Sequence, residues 1–168
     1  MNRQQYLTGK VRRWHTHHDL QQTNADHSWG VAMFLLMHHP SPSLALVQAA
    51  LNHDAGEYLI GDVPGYAKVN DPKLSEFLHI RERQAMWTLG FTMPGLTDLE
   101  QAWLAFADIA EAWMFIRHCG RFGPSEMAEY FPGIGLRVRQ DLEKLVKAGG
   151  KLADRPLTYE AIFGEVGL

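Results

Sequence analysis

Apolar residues recur along most of this chain at the three- and four-residue spacing of amphipathic helices, and no alternating pattern typical of strands persists. The predicted helices, in chain order, span 2–9, 24–38, 41–53, 71–90, 97–120, 124–131, 134–148 and 157–163. Glycines at 149 and 150 mark a joint before the last segment. We therefore predict an all-α fold, a bundle of roughly seven to nine helices.

Several helix starts are marked by capping residues. Asn24 and Ser41 are predicted N-caps, and proline follows Ser41 at the first helical position. The pair Asp71-Pro72 starts another helix in the same way, and residues 97–100 (TDLE) fit a capping box. Glycine and proline interrupt the pattern at 56–65, where we predict turns whose side chains converge on a pocket.

Length and composition favour one compact unit of structure. The chain has 168 residues, 46% of them hydrophobic, which is enough for one well-buried core but short for two domains. We predict a single domain, 1–168. The net charge of −3 and the lack of long charge runs argue against nucleic-acid or membrane-surface partners. One cysteine and no visible signal peptide or long apolar span indicate a cytoplasmic protein.

The densest run of reactive side chains begins at His53-Asp54 and continues through Glu57 to Asp62. An imidazole and three carboxylates this close together are costly to bury without metal or substrate partners. Helix neighbours point about 100° apart, so His53 and Asp54 can both reach an ion in the wedge between them. The alternative is that His-Asp is a common dipeptide and that Glu57 and Asp62 are solvated turn residues.

Other candidate residues each have two interpretations. His27 falls in the first turn of a helix, where the dipole favours the neutral imidazole that a metal requires, but capping or packing would also explain it. Asp108 lies in the most apolar helix, so it faces a cation or shares a polar stripe with Glu111. Arg13 and Trp14 either meet an anion or are a surface charge beside a core indole.

Together these motifs resemble the signature of the HD-domain phosphohydrolases. They are 26–28 (DHS), 53–54 (HD) with Glu57, 61–64 (GDVP) with Lys68, and Asp108 in a later apolar helix. Arg13-Trp14 upstream brings the resemblance closer to the 5′-deoxynucleotidase branch. The chain is also similar to compact phage-encoded enzymes that remove the whole triphosphate from dATP. The resemblance covers residues 10–115 and implies the HD-type helical bundle.

Two features depart from the family pattern. The family usually has glutamate where Asp26 stands, which is a conservative change. The interval from His27 to His53 is shorter than in the bacterial nucleotidases. That difference shortens helices or a loop near the site and leaves the choice of substrate open.

The resemblance implies a metal site. By this resemblance His27, His53, Asp54 and Asp108 hold one divalent transition metal, and two imidazoles with two carboxylates suit Mn, Co, Fe, Ni or Zn. Asp54 is accordingly assigned to catalysis as well as to the metal. Glu57 positions or deprotonates the nucleophile, or protonates the leaving oxygen.

The resemblance also implies the substrate contacts. Arg13 and Lys68 neutralise phosphate charge, and Trp14 stacks on the sugar or base. Asp62 lies near the sugar and favours deoxyribose, either by crowding or by leaving a 2′-hydroxyl unsatisfied.

The implied activity is metal-dependent hydrolysis of the 5′ phosphate ester of 2′-deoxynucleotides, which releases the deoxynucleoside with phosphate or triphosphate. An HD-type phosphodiesterase is one alternative, disfavoured by Arg13-Trp14 and 61–64. A catalytically inactive metal-binding scaffold is another, disfavoured by an intact Glu57. The expected partner is a small-molecule deoxynucleotide, and a homo-oligomer, dimer or higher, is expected.

Overall fold

The structure, a computed structural model, describes residues 1–14, 20–120 and 133–164. These residues are mostly helical, which confirms the all-α prediction. The predicted helix 124–131 lies outside the described residues.

The chain starts with a short helix and a two-stranded ribbon. Its elements are α1 (Arg3–Leu7), a 3-10 helix (Thr8–Lys10), β1 (Arg12–Arg13) and β2 (Gln22–Thr23). The strands are antiparallel, with Arg12 opposite Thr23 and Arg13 opposite Gln22. The ribbon was not predicted, because strands of two residues contain no alternation that a sequence pattern could reveal.

The other elements are helices. They are α2 (Asn24–His38), α3 (Leu44–Asn52), α4 (Glu57–Ile60), α5 (Gly65–Asn70), α6 (Pro72–Thr88), α7 (Asp98–Cys119), α8 (Ile134–Lys147) and α9 (Tyr159–Phe163). The long helices agree with the predicted ones to within a few residues. The turns predicted at 56–65 were partly wrong, since α4 and the start of α5 lie there. Both helices are too short for a periodic pattern.

Two of the predicted caps are confirmed. The Asp71 side chain accepts hydrogen bonds from the backbone N–H groups of Lys73 and Leu74, at 3.0 and 3.1 Å. Thr97 and Glu100 form the predicted capping box at the start of α7. Each pattern depends only on residues within one turn, so the sequence was sufficient.

The predicted cap of α3 at Ser41 was wrong. The Ser43 hydroxyl accepts a hydrogen bond from the backbone N–H of Leu46 at 3.0 Å and itself donates to Glu100. This second bond to a residue of α7 favours Ser43 over Ser41, so the helix begins two residues later than predicted.

The predicted cap of α2 at Asn24 was also wrong. The backbone N–H of Thr23 donates to the Asp26 carboxylate at 2.9 Å, and the backbone N–H of Asp26 donates to the Thr23 hydroxyl at 3.2 Å. Thr23 and Asp26 thus form a reciprocal capping box. Asn24 is the first helical residue, and its side chain is buried.

The chain divides into two compact units, each made of two separate pieces. The first unit comprises 1–29 and 51–93, and the second comprises 30–50 and 94–168. The single domain expected from the sequence stays a prediction. The second unit has a large apolar core, which includes Leu35, Leu46, Trp103, Phe106, Val138 and Leu145.

Close packing in the first unit depends on a glycine before α4. A Cβ atom at Gly56 would lie 2.5 Å from the backbone carbonyl oxygen of Glu82 on α6. No other amino acid fits there unless the backbone shifts. Gln5 also donates a hydrogen bond to the carbonyl of Leu89 at 3.1 Å, which ties α1 to the end of α6.

In the three described stretches of chain, none of the helices combines the length and the apolar character that crossing a membrane requires.

Candidate active site

Three predicted metal ligands come together in the first unit. His27 lies in the first turn of α2 and is fully buried, and His53 and Asp54 directly follow α3. The Nε2 atoms of the two histidines are 3.3 Å apart. Asp54 Oδ2 lies 3.3 Å from His53 Nε2 and 3.6 Å from His27 Nε2. These three atoms form a compact triangle.

Two sides of the triangle have the length expected around a divalent cation, and the third, 3.6 Å, is slightly longer. Two ligand atoms that each lie about 2.1 Å from one cation are about 3.0 to 3.4 Å apart at octahedral or tetrahedral angles. Two imidazole nitrogens and a carboxylate oxygen are typical ligands of the transition metals Mn, Co, Fe, Ni and Zn. Asp108 lies half-buried on α7, in the second unit, and its role as a fourth ligand stays a prediction.

Arg13 reaches the same cluster from strand β1. Its guanidinium donates a hydrogen bond to Asp54 Oδ2, the oxygen that also faces the two histidines. The sequence predicted Arg13 as a phosphate contact. The phosphate contact of Arg13 stays a prediction, and a guanidinium with five N–H groups can bind a carboxylate and a phosphate together.

Glu57, the first residue of α4, is a buried carboxyl group, with 4% of its surface exposed. Burial raises the pKa of Glu57 to about 8, and the negative charges of Asp54 and Asp62 also raise it. Arg13 and a hydrogen bond from Asn24 lower it. A carboxyl group with a pKa near neutrality can both accept and donate a proton. A cation bound nearby would lower this pKa.

Asn24 is a site residue that sequence reasoning missed. It is 3% exposed, and its Nδ2 atom donates hydrogen bonds to Glu57 Oε2 at 3.0 Å and to the carbonyl oxygen of Asp54 at 3.1 Å. The signal that could have revealed it is the T-x-x-D pattern at 23–26, which assigns the cap to Thr23. Asn24 then falls inside the helix.

The ribbon holds Trp14 beside Arg13. Trp14 has a backbone φ of 56°, a left-handed conformation that is strained for a bulky side chain. Its indole Nε1 donates a hydrogen bond to Gln22 Oε1 at 2.8 Å. Gln22 is buried and lies opposite Arg13 in the ribbon. Gln22, which no sequence pattern indicated as a site residue, therefore holds the Trp14 indole next to Arg13.

The remaining predicted substrate residues lie in the same unit. Lys68 on α5 places its Nζ 3.3 Å from Glu82 Oε1. The Glu82 side chain on α6 is only 19% exposed, so this ion pair is partly shielded from solvent. Asp62 is half-buried and follows Gly61, which has a φ of 84°. The substrate contacts of Lys68 and Asp62 stay predictions.

Comparison with known proteins connects this site to one family. The model of the family described as 5'-deoxynucleotidase YfbR-like matches residues 7–111, more than half of the chain. No curated protein and no solved structure gives a significant match. The matched stretch contains every predicted site residue, from Arg13 to Asp108. The chain belongs to the 5'-deoxynucleotidase YfbR-like family, a family of hydrolases with the HD-type all-α fold.

Proposed function

We propose that this protein is a metal-dependent hydrolase of the 5′ phosphate ester of 2′-deoxynucleotides, which releases the deoxynucleoside with phosphate or triphosphate. The observation that carries the proposal is the buried Glu57 carboxyl group in the same unit as the cluster of His27, His53 and Asp54. A buried acid and a metal-type donor set are the two components that this reaction requires.

The cation site in this proposal comprises His27, His53 and Asp54, with Asp108 as the fourth ligand by resemblance to the family. The histidines must be neutral to bind a cation, so metal binding in this proposal weakens at low pH. A divalent cation held there would polarise the phosphate and acidify a water molecule.

The chain's own residues then handle protons and charge. In the reaction a water oxygen bonds to the α-phosphorus, the bond from phosphorus to O5′ breaks, and O5′ leaves with a proton. Glu57 accepts the proton of the attacking water or supplies the proton that O5′ needs. Arg13 and Lys68 neutralise charge on the phosphate oxygens. Since Lys68 is paired with Glu82, the phosphate must share this ammonium group or displace Glu82.

Selection of the sugar is proposed to come from Trp14 and Asp62. Gln22 and the strained backbone of Trp14 hold the indole in one orientation, as stacking on a sugar or base requires. Asp62 is proposed to crowd a 2′-hydroxyl or leave it without a partner. The expected homo-oligomer is a separate proposal, which light scattering during gel filtration would test.

The test is a panel of deoxynucleoside mono- and triphosphates and their ribose counterparts, incubated with each divalent transition metal and separated by chromatography. Deoxynucleosides should appear, and phosphate or triphosphate identifies the bond that broke. Glu57→Ala should retain the metal and lose roughly 10²–10⁴-fold in kcat. The matched control is Glu143→Ala, which removes an exposed glutamate of α8.

Two outcomes would contradict the proposal. Cleavage of a phosphodiester such as bis(p-nitrophenyl) phosphate, with every nucleotide left intact, would indicate a phosphodiesterase. A fully metal-loaded protein that hydrolyses nothing in the panel would indicate a binding scaffold.

A further inference from the structure

Asn24 is buried in the first turn of α2 although Thr23 and Asp26 already cap that helix. Local structure therefore does not require an asparagine at this position. Both hydrogen-bond donors of its amide group serve the segment after α3, where they bind the carbonyl of Asp54 and the carboxyl group of Glu57.

The orientation of the Asn24 amide follows from its partners. The Asp54 carbonyl oxygen can only accept, and Glu57 Oε2 lies 3.0 Å from the amide nitrogen, so the NH₂ end must face them. The opposite end, Oδ1, is buried and has no hydrogen-bond partner among the described residues. A buried oxygen without a partner opposes folding, so Oδ1 gives no reason for an asparagine at this position. The two hydrogen bonds from the amide nitrogen do give one.

The contact also distinguishes the two oxygens of Glu57. Among the residues that the structure describes, Asn24 is the one hydrogen-bond donor to this carboxyl group, and it binds Oε2. An NH₂ group cannot accept a proton, so a proton on the carboxyl group is better placed on Oε1.

We propose that Asn24 is a positioning residue: by holding Oε2 of Glu57, it fixes Oε1 as the oxygen that exchanges a proton with the substrate or its attacking water. The inference rests on the proposed proton-transfer role of Glu57. Asn24 also binds the backbone of Asp54, so one side chain links the proposed acid or base to the cation cluster. Small misplacements of such groups cost large factors in rate.

A double-mutant cycle tests this role. The wild type, Asn24→Ala, Glu57→Ala and the double variant are compared in kcat, KM, metal content and Tm, with the best nucleotide of the panel. Asn24→Ala should lower kcat by roughly 10- to 100-fold and leave KM within about twofold. In the Glu57→Ala background the same change should alter kcat by less than about twofold, because the group that Asn24 orients is gone.

Two further variants serve as a control and as a substitute for Asn24→Ala. Asn70→Ala removes an exposed asparagine at the end of α5 in the same unit, and it should leave kcat unchanged. Asn24→Ser retains a shorter donor and repeats the cycle if the alanine variant does not fold, with a smaller loss expected. An equal fractional loss of kcat in both Glu57 backgrounds, or no loss, would overturn the inference.

An infrared measurement separates this inference from the proposed activity. The carboxyl band of Glu57, identified by the difference from Glu57→Gln in substrate-free protein, should shift in Asn24→Ala. An unshifted band overturns the proposed positioning even if the enzyme is active. If the Glu57 band shifts in Asn24→Ala but the wild type hydrolyses no nucleotide, the proposed function is wrong. The contact between Asn24 and Glu57 would then have no catalytic role.

Discussion

Glu57→Gln should stabilise the metal-free protein at neutral pH, although Glu57 is the proposed proton-transfer group. Burial raises the pKa of Glu57 in the folded protein from its ordinary value of 4.5 to about 8. Between these values the folded chain holds a proton that the unfolded chain has lost, so wild-type stability falls as the pH rises through this window. Glutamine has the same shape without the charge and can still accept the hydrogen bond from Asn24.

The size of the effect follows from the two pKa values. Each pH unit between 4.5 and about 8 is worth about 1.4 kcal/mol, or about 5 kcal/mol in full. From pH 5 to pH 7.5 the advantage of the glutamine variant should therefore grow by about 3 kcal/mol. Since a typical domain is stable by about 5–15 kcal/mol, a change of this size is readily measured.

The assay is urea unfolding of the wild type and Glu57→Gln at both pH values, with a chelator to keep the site free of metal. The exposed Glu143, changed to glutamine, is the matched control, and the difference there should stay within about 0.5 kcal/mol. If the advantage of Glu57→Gln is the same at pH 5 and pH 7.5, Glu57 does not hold its proton on folding and the reasoning from burial is wrong.

Three further predictions test other parts of the structure. His53→Ala and Asp108→Ala should each lose bound metal and activity together, and full metal occupancy by elemental analysis in both would refute the ligand set. In the wild type, kcat/KM should be roughly 5- to 150-fold higher for dAMP than for AMP, because one hydroxyl of AMP would be buried without a partner. Asp62→Ala should lower this dAMP/AMP ratio. The same ratio in the wild type and the variant would show that another residue selects the sugar. Gly56→Ala should destabilise the protein by about 1–3 kcal/mol, because its Cβ would lie 2.5 Å from the Glu82 carbonyl oxygen. An unchanged Tm would show that the backbone at this position can shift without loss of stability.

Features that depend on neighbouring residues were predictable from the sequence. The capping box of Thr97 with Glu100 and the start of α6 at Asp71 were correctly assigned, because each is decided within one helical turn. The all-α class followed from helical periodicity repeated over long segments.

Features that depend on distant contacts were not predictable. Ser43 caps α3 while it also bonds Glu100, which is 57 positions away in the chain. Arg13 meets Asp54 across 41 positions, and no spacing rule connects them. The resemblance to a family supplied the candidate site residues, but their partners came only from the folded chain.

The two-piece construction of each unit affects the order in which the protein is made. Ribosomal synthesis completes every residue of the first unit at Met93, so His27, His53, Asp54 and Glu57 have all been translated by then. The second unit still lacks the stretch from residue 94 onward, including the proposed fourth ligand on α7. A nascent chain paused after residue 93 thus contains the three clustered donors without the fourth. All four proposed ligands can bind the metal only after Asp108 has also been translated.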